Sequence, residues 1–283
     1  MQYHPTRSLI YVDCVKEEYR IKLQNWLYRY HIPDSISQFE PYCTKYAFYN
    51  ALPMPPGGEN YGTVRMQLTE HYWTINEFEG QLKKTLTEYF PMDVLKWQGN
   101  IPDVQPDDVD SGRDDAAMLS GEEARATRSD ECMPFIFAFV PICWEDDLKG
   151  AGRTVEDGPN YRWQFMLRYP EGVSQEEGDK WFFDEVAPKL TEAPEVTRLL
   201  TSRIMTEING CPFNRVVEAW FEGPDEWEAA VTGRIAQAAA KPSWAQTDSF
   251  PFLRPYINFA GIFLSDIPTS NNLTQYRGYI TMR

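Results

Sequence analysis

Short apolar runs rich in β-branched and aromatic residues alternate along the chain with longer stretches whose apolar residues recur every three or four positions. SLIYVDCV, beginning at Ser8, is the first run, and its length and composition predict a buried strand. From about Lys16 to His31, Tyr19, Leu23, Trp26, Leu27 and Tyr30 fall on one arc at helical spacing, and Pro33 ends that helix. Two strands follow, YCTKYAFYNAL and VRMQLTEHYWTI, joined by the turn-forming PMPPGGENYG. A second helix over roughly Glu77 to Tyr89 and a strand MPFIFAFVPIC complete the order βαββαβ. The order then recurs. YRWQFMLRY reads as a strand, and SQEEGDKWFFDEVAPKL as a helix whose Ser174 and Glu177 have capping-box spacing. VTRLLTSRIM, NRVVEAWFE, a helix from Pro224-Asp225 to about Lys241, and YINFAGIFLS complete the second unit.

The halves also correspond residue by residue. Trp26 and Pro33 match Trp181 and Pro188, Cys43-Thr44-Lys45 matches Val196-Thr197-Arg198, Glu70 matches Glu218, and Phe137-Ala138 matches Phe259-Ala260. A βαββαβ unit packs two helices on one face of a four-stranded antiparallel sheet and leaves the other face apolar, so two units can cover each other. This pattern resembles the dimeric α/β-barrel superfamily of ferredoxin-like folds and, within it, the EthD-like proteins. The resemblance rests on a Trp in the first helix followed by a short aromatic or His stretch, WLYRYHIP and WFFDEVAP, and on a third strand of the type TEHYW and VEAWFEGPDEWEAA. It implies an α+β chain of two tandem ferredoxin-like repeats, residues 1–150 and 151–283, packed sheet to sheet as an intramolecular α/β barrel. A homodimer is then an option, since the face that relatives bury by dimerising is covered within the chain.

Residues 101–131 hold ten acids against three bases and little that could pack, which predicts a solvent-exposed insertion in the first repeat. The net charge of −15 opposes binding to nucleic acid or to an anionic membrane surface. No apolar run is long enough to span a bilayer, the N-terminus lacks a signal-peptide pattern, and a cytoplasmic location is expected. Five cysteines without a C-x-x-C pair suggest reduced thiols rather than a disulfide framework or zinc ribbon.

Nine tryptophans, 16 tyrosines and 16 phenylalanines leave two readings, large cores or a pocket for a flat apolar ligand. Alternation along VRMQLTEHYWTI puts Thr69, His71 and Trp73 on one face and Glu70, Tyr72 and Thr74 on the other. In the second repeat Val217, Ala219 and Phe221 take the first set, so His71 replaces an alanine on the face beneath the helices, and His31 replaces Val186 on the helix above it. The resemblance implies that this helix–sheet space holds substrate. His31 and His71 are therefore the candidate acid–base pair, with Tyr46 to orient a hydroxyl or carbonyl and Asp13 as a further base or His-orienting carboxylate. Trp26, Tyr30 and Trp73 are the candidate substrate-binding residues. A buried histidine hydrogen-bonded within a core would leave the same pattern. Glu70 and Glu218 read as structural partners of Lys45, Arg198 or Arg203.

Neither H-x-x-x-H nor H-E-x-x-H spacing occurs, nor a phosphate-binding glycine loop, nor G-x-S-x-G, so no metal and no cofactor is expected. The expectation is a cofactor-independent lyase or isomerase acting on a hydrophobic aromatic small molecule, in aromatic-compound catabolism. The alternatives are a non-catalytic carrier of an apolar ligand and a haem- or oxygen-dependent enzyme on the same fold.

Overall fold

The computed structural model describes residues 6–13, 20, 21, 24, 27–33, 36, 43–73, 135–141, 147–153, 155–205, 211–266 and 273, without the side chains of residues 30, 31, 135–139, 141 and 155. The expected helix at 77–89 and the acidic insertion 101–131 lie outside the described residues. The first sheet contains β1 (Thr6–Val12), β2 (Cys43–Asn50), β3 (Gln67–Trp73) and β4 (Phe135–Pro141), in the order β2-β3-β1-β4. The second contains β5 (Asp147–Lys149), β6 (Tyr161–Leu167), β7 (Arg198–Arg203), β8 (Arg215–Phe221) and β9 (Phe259–Ser265), in the order β5-β7-β8-β6-β9. All the ladders are antiparallel, and the four core strands of each sheet have the ferredoxin-like order. The short edge strand β5, which alternation alone did not reveal, is held on β7.

Helix α1 (Gln175–Trp181) begins where the Ser174 side chain accepts the Glu177 N–H, passes through a π-helical turn (Phe182–Val186) and continues as α2 (Ala187–Glu192). A matching π-helical turn, Leu27–His31, occurs in the first repeat. Helix α3 (Pro224–Ala230) likewise runs into a π-helical turn, Val231–Ile235.

The ladders test the expected correspondence between the repeats. Glu70 pairs with Leu9 and Glu218 with Gln164, while Tyr72 pairs with Arg7 and Trp220 with Arg162, so Glu70 and Glu218 are equivalent and so are Arg7 and Arg162. The Thr44 and Thr197 hydroxyls donate to the Tyr72 and Trp220 carbonyls, which supports the second match. The match on the last strand is corrected by two residues. Phe137 lies opposite Ile10 and Gly261 opposite Phe165, so Phe137-Ala138 corresponds to Gly261-Ile262 rather than to Phe259-Ala260. A two-residue slip preserves the face, which is why alternation did not expose it.

The sheets meet through Leu9, Tyr11, Ala47, Leu68, Val140, Met166, Val216, Ala260, Ile262 and Leu264. This contact is not purely apolar. At its centre Arg7 grips Glu218 through both guanidinium nitrogens, and Arg162 Nη1 donates to Glu70 and to Glu218, each at 3.0 Å. Gln164 Nε2 donates to Glu218 at 2.8 Å, Lys45 lies 3.6 Å from Glu70, and Asp266 lies 3.2 Å from Arg162. Lys45 is thus a partner of Glu70 as expected, but Arg198 and Arg203 are not the others. Arg198 donates to the Arg153 carbonyl and lies over Trp220, and Arg203 is exposed on the helix side of β7. Burial by itself would raise both glutamate pKa values. The adjacent cations outweigh it, Arg162, Lys45 and Arg7 for Glu70 and Arg7 and Arg162 for Glu218, and hold both below the usual carboxylate range.

The connection between β2 and β3 is more than a turn. Leu52 N–H donates to Phe263 O, Val64 N–H to Gly261 O, and Gly261 N–H to the Thr63 hydroxyl, so the segment lies along β9 of the other repeat. Its Tyr61 enters the helix–sheet core of the second repeat. The ring meets Trp163 and Trp227 edge-on, the hydroxyl donates to Phe250 O, and Trp163 Nε1 donates to Tyr61 O. Gly261 is required there, because a Cβ would fall 1.9 Å from Tyr61 O.

Two predictions follow from these contacts. Glu70→Gln leaves Arg162 and Lys45 undercompensated in a dry site, so urea unfolding should show a loss of about 3–5 kcal/mol. A loss under about 1 kcal/mol would mean that the cluster contributes little. Because the native carboxylates titrate below their unfolded values, their contribution is complete above about pH 5. It should fall away as pH drops through the unfolded range near 4.3 toward the native values. Gly261→Ala and Tyr61→Ala should each destabilise the chain, the latter by about 3–5 kcal/mol, by expelling or deleting the inserted ring. Unchanged melting of both variants would show that the arm is not structural.

Candidate active site

On the helix-facing side of the first sheet, cross-strand pairing sets Ser8, His71 and Tyr46 side by side. The His71 ring is stacked between Tyr46, at 4.4 Å between centroids, and Trp73, at 5.3 Å. Ser8 Oγ lies 3.2 Å from His71 Nδ1 and accepts the Trp73 indole N–H at 3.2 Å. Indole N–H can only donate, so it occupies a lone pair of Ser8 and leaves the serine proton available for Nδ1. Where Ser8 donates, the neutral ring carries its proton on Nε2; where Ser8 accepts, the ring carries it on Nδ1. Ser8, Tyr46, His71 and Trp73 are all buried, so two aromatic planes and a hydroxyl hold the ring in place.

The equivalent positions of the second repeat hold the opposite chemistry. Trp163 stands for Ser8, Ala219 for His71, Leu199 for Tyr46 and Phe221 for Trp73. With Tyr61, Phe182, Val186, Trp227 and Phe263 they form one apolar cluster. A large residue on β6 beside a small one on β8 has become a small residue on β1 beside a larger one on β3. Volume is roughly conserved while the first repeat gains three polar side chains. Ser8 was not among the sequence candidates. The signal for it was a small hydroxyl within an otherwise apolar buried strand, aligned with a tryptophan.

The other expected site residues separate into groups. His31 ends the π-helical turn equivalent to the one that ends at Val186, and Tyr30 belongs to the same turn. Trp26 and the side chains of Tyr30 and His31 lie outside the described residues. Asp13 follows β1, whose Val12 is opposite Gln67, whereas His71 is opposite Ser8. Asp13 is thus at the far end of the sheet, where its Oδ2 accepts the Arg65 N–H at 3.1 Å, and it does not join the histidine. Among the described residues no group of three or more His, Cys, Asp or Glu side chains could hold a metal ion, and no helix is long and apolar enough to cross a membrane.

Residues 3–103 match the family described as the chalcone isomerase N-terminal domain. No curated protein matches the chain. Among solved structures, an anthrone oxidase-like protein is similar at 11% identity over 94% of this chain and 92% of that one, with a TM-score of 0.46. Chlorite dismutase from Candidatus Nitrospira defluvii in complex with imidazole is similar at 7% identity over 93% of this chain and 91% of that one, with a TM-score of 0.39.

Nitrogen-15 NMR of the histidine rings should find neutral His71 as the Nε2–H tautomer, and Ser8→Ala should weaken that preference. Since the substitution removes the hydroxyl that accepts the Trp73 indole N–H, it should also cost about 0.5–1.5 kcal/mol. Finding His71 as the Nδ1–H tautomer would reverse the assigned direction of the Ser8 bond.

Proposed function

We propose that the chain is an enzyme that moves protons on an oxygenated aromatic small molecule without a cofactor, as a lyase or isomerase, and that the chemistry belongs to the first repeat alone. The observation that carries this reading is the asymmetry of two equivalent sheet faces. One is filled by Trp163, Phe165 and an inserted Tyr61, and the other presents a histidine oriented by Ser8 between two aromatic rings. The similarity of residues 3–103 to the chalcone isomerase N-terminal domain falls on this repeat and agrees with isomerase chemistry. The kinship with EthD-like proteins suggested by WLYRYHIP and TEHYW belongs to the same reading.

In this scheme His71 delivers its Nε2 proton to a substrate carbonyl or to the adjacent carbon. The ring does so in its imidazolium form and keeps its Nδ1 proton, which Ser8 Oγ can accept. His31, on the helix above, takes the proton lost elsewhere on the substrate. Tyr46 and Trp73 stack on the imidazole and keep it from rotating. Imidazole suits both roles because its ordinary pKa lies near neutral pH.

A hydroxylated chalcone, whose ring closure abolishes its long-wavelength absorbance, is the first probe. His71→Gln, which keeps most of the side-chain volume beside the small Ser8, should lower turnover by about 10²–10⁴-fold with little change in melting temperature. Near-normal turnover with a lowered melting temperature would assign His71 to packing. Binding of the chalcone without turnover by the wild type would favour a ligand carrier.

A further inference from the structure

The far end of the same sheet face carries a second polar feature. Gln67, on β3, points to the same side as Thr69, His71 and Trp73, and it is only 1% exposed. Neither its amide oxygen nor its amide nitrogen has a hydrogen-bond partner among the described residues. Burying an amide without partners costs about 1–3 kcal/mol, so the group calls for an explanation.

The second repeat shows what a closed version of this corner looks like. Register makes Arg215 the equivalent of Gln67. Arg215 Nε donates to Asp179 Oδ1 at 2.9 Å and its Nη1 to Thr201 Oγ1 at 3.1 Å. Asp179 is completed by the Tyr169 hydroxyl at 2.6 Å and by Gln175 Nε2 at 2.8 Å. There the chain's own side chains satisfy the polar end. In the first repeat Thr201 is replaced by Phe48, opposite Thr69, and Asp179 by Gln24, if the helix correspondence that matches Trp26 to Trp181 is extended by two residues. The position that carries the anchoring carboxylate in the second repeat thus holds an amide in the first.

We infer that the helix–sheet space of the first repeat takes a ligand with an oxygen function at each end, one end met by His71 and the other by the Gln67 carboxamide. This rests on the proposed function and specifies its substrate class. Gln67 and His71 are four residues apart on one strand, so their Cα atoms are about 13 Å apart. Between them lie Thr69 and, on neighbouring strands, Ile10 and Phe48, which offer mainly apolar contact to the middle of the ligand. A carboxamide has a donor and an acceptor side by side, so it suits a neutral hydroxyl or carbonyl better than a charged group. The ligand is therefore an elongated, flat, uncharged aromatic bearing hydroxyl or carbonyl groups at opposite ends.

The test is calorimetric titration of the whole protein with 4,4′-dihydroxybiphenyl and 4-hydroxybiphenyl. The wild type should bind the diol about tenfold more tightly, the worth of one further good hydrogen bond. Gln67→Leu should remove that preference, leave the affinity for 4-hydroxybiphenyl within about twofold, and keep or raise the melting temperature, because an unpartnered amide is lost. His71→Ala should weaken both compounds. If 4-hydroxybiphenyl binds but the diol is not preferred, or if Gln67→Leu weakens both equally, the two-ended ligand is overturned while the proposed site stands. If neither compound binds the wild type, the proposed site and this inference both fall.

Discussion

Two glutamates and two arginines buried between the sheets constrain the rest of the molecule. Arg7 reaches across to Glu218 of the other repeat, and Arg162 reaches back to Glu70 while also holding Glu218. Taking each ion out of water costs several kcal/mol, which is recovered only where the opposite charge and the hydrogen bonds of Gln164 and Lys45 are in place. A one-residue slip in β1 or β3 would turn Arg7 or Glu70 toward the helices and leave the remaining charges uncompensated. The quartet therefore selects strand register and the mutual placement of the repeats together, and the surrounding Leu, Val, Ile and Ala residues add burial without register information.

Once the inner faces were committed to each other, the outer faces could diverge. The second repeat closes its helix–sheet space with Trp163 and Trp227, admits Tyr61 from the first repeat as one more ring, and satisfies its polar corner with Arg215 and Asp179. Each of these leaves less for a ligand to do. The first repeat has Ser8, His71 and Gln67 at the equivalent positions, and so spends stability on buried polar groups. Such local inconsistency with an otherwise uniform core is typical of functional sites. The arm that carries Tyr61 also ties the repeats together along β9, so the repeat built as a scaffold is stabilised by the repeat that carries the proposed chemistry.

Much of this was legible in the chain. Short apolar runs rich in β-branched and aromatic residues located the eight core strands, and their recurrence predicted the duplication. Within it, the recurrence of Glu70 as Glu218 and the contrast of His71 with Ala219 identified the interface and the candidate site. Other features left weaker traces. The match of Phe137 to Phe259 failed by two residues because a two-residue slip leaves each position on the same face. PMPPGGENYG read as a turn because its Pro and Gly content reports only local geometry, whereas its role depends on contacts with residues about 200 positions away.

Sequence by itself determined the elements, the faces their residues occupy and the existence of two equivalent units, because these follow from local backbone periodicity and from composition repeated along one chain. Tertiary structure alone decided that Arg7 and Arg162, rather than Arg198 or Arg203, neutralise the buried glutamates, that Tyr61 fills the opposite repeat, and that Ser8 meets His71 Nδ1 while Gln67 has no partner among the described residues. The physical reason is that charge compensation, close packing and hydrogen-bond satisfaction depend on distances between atoms far apart in the chain, and those distances exist only after the sheets have come together.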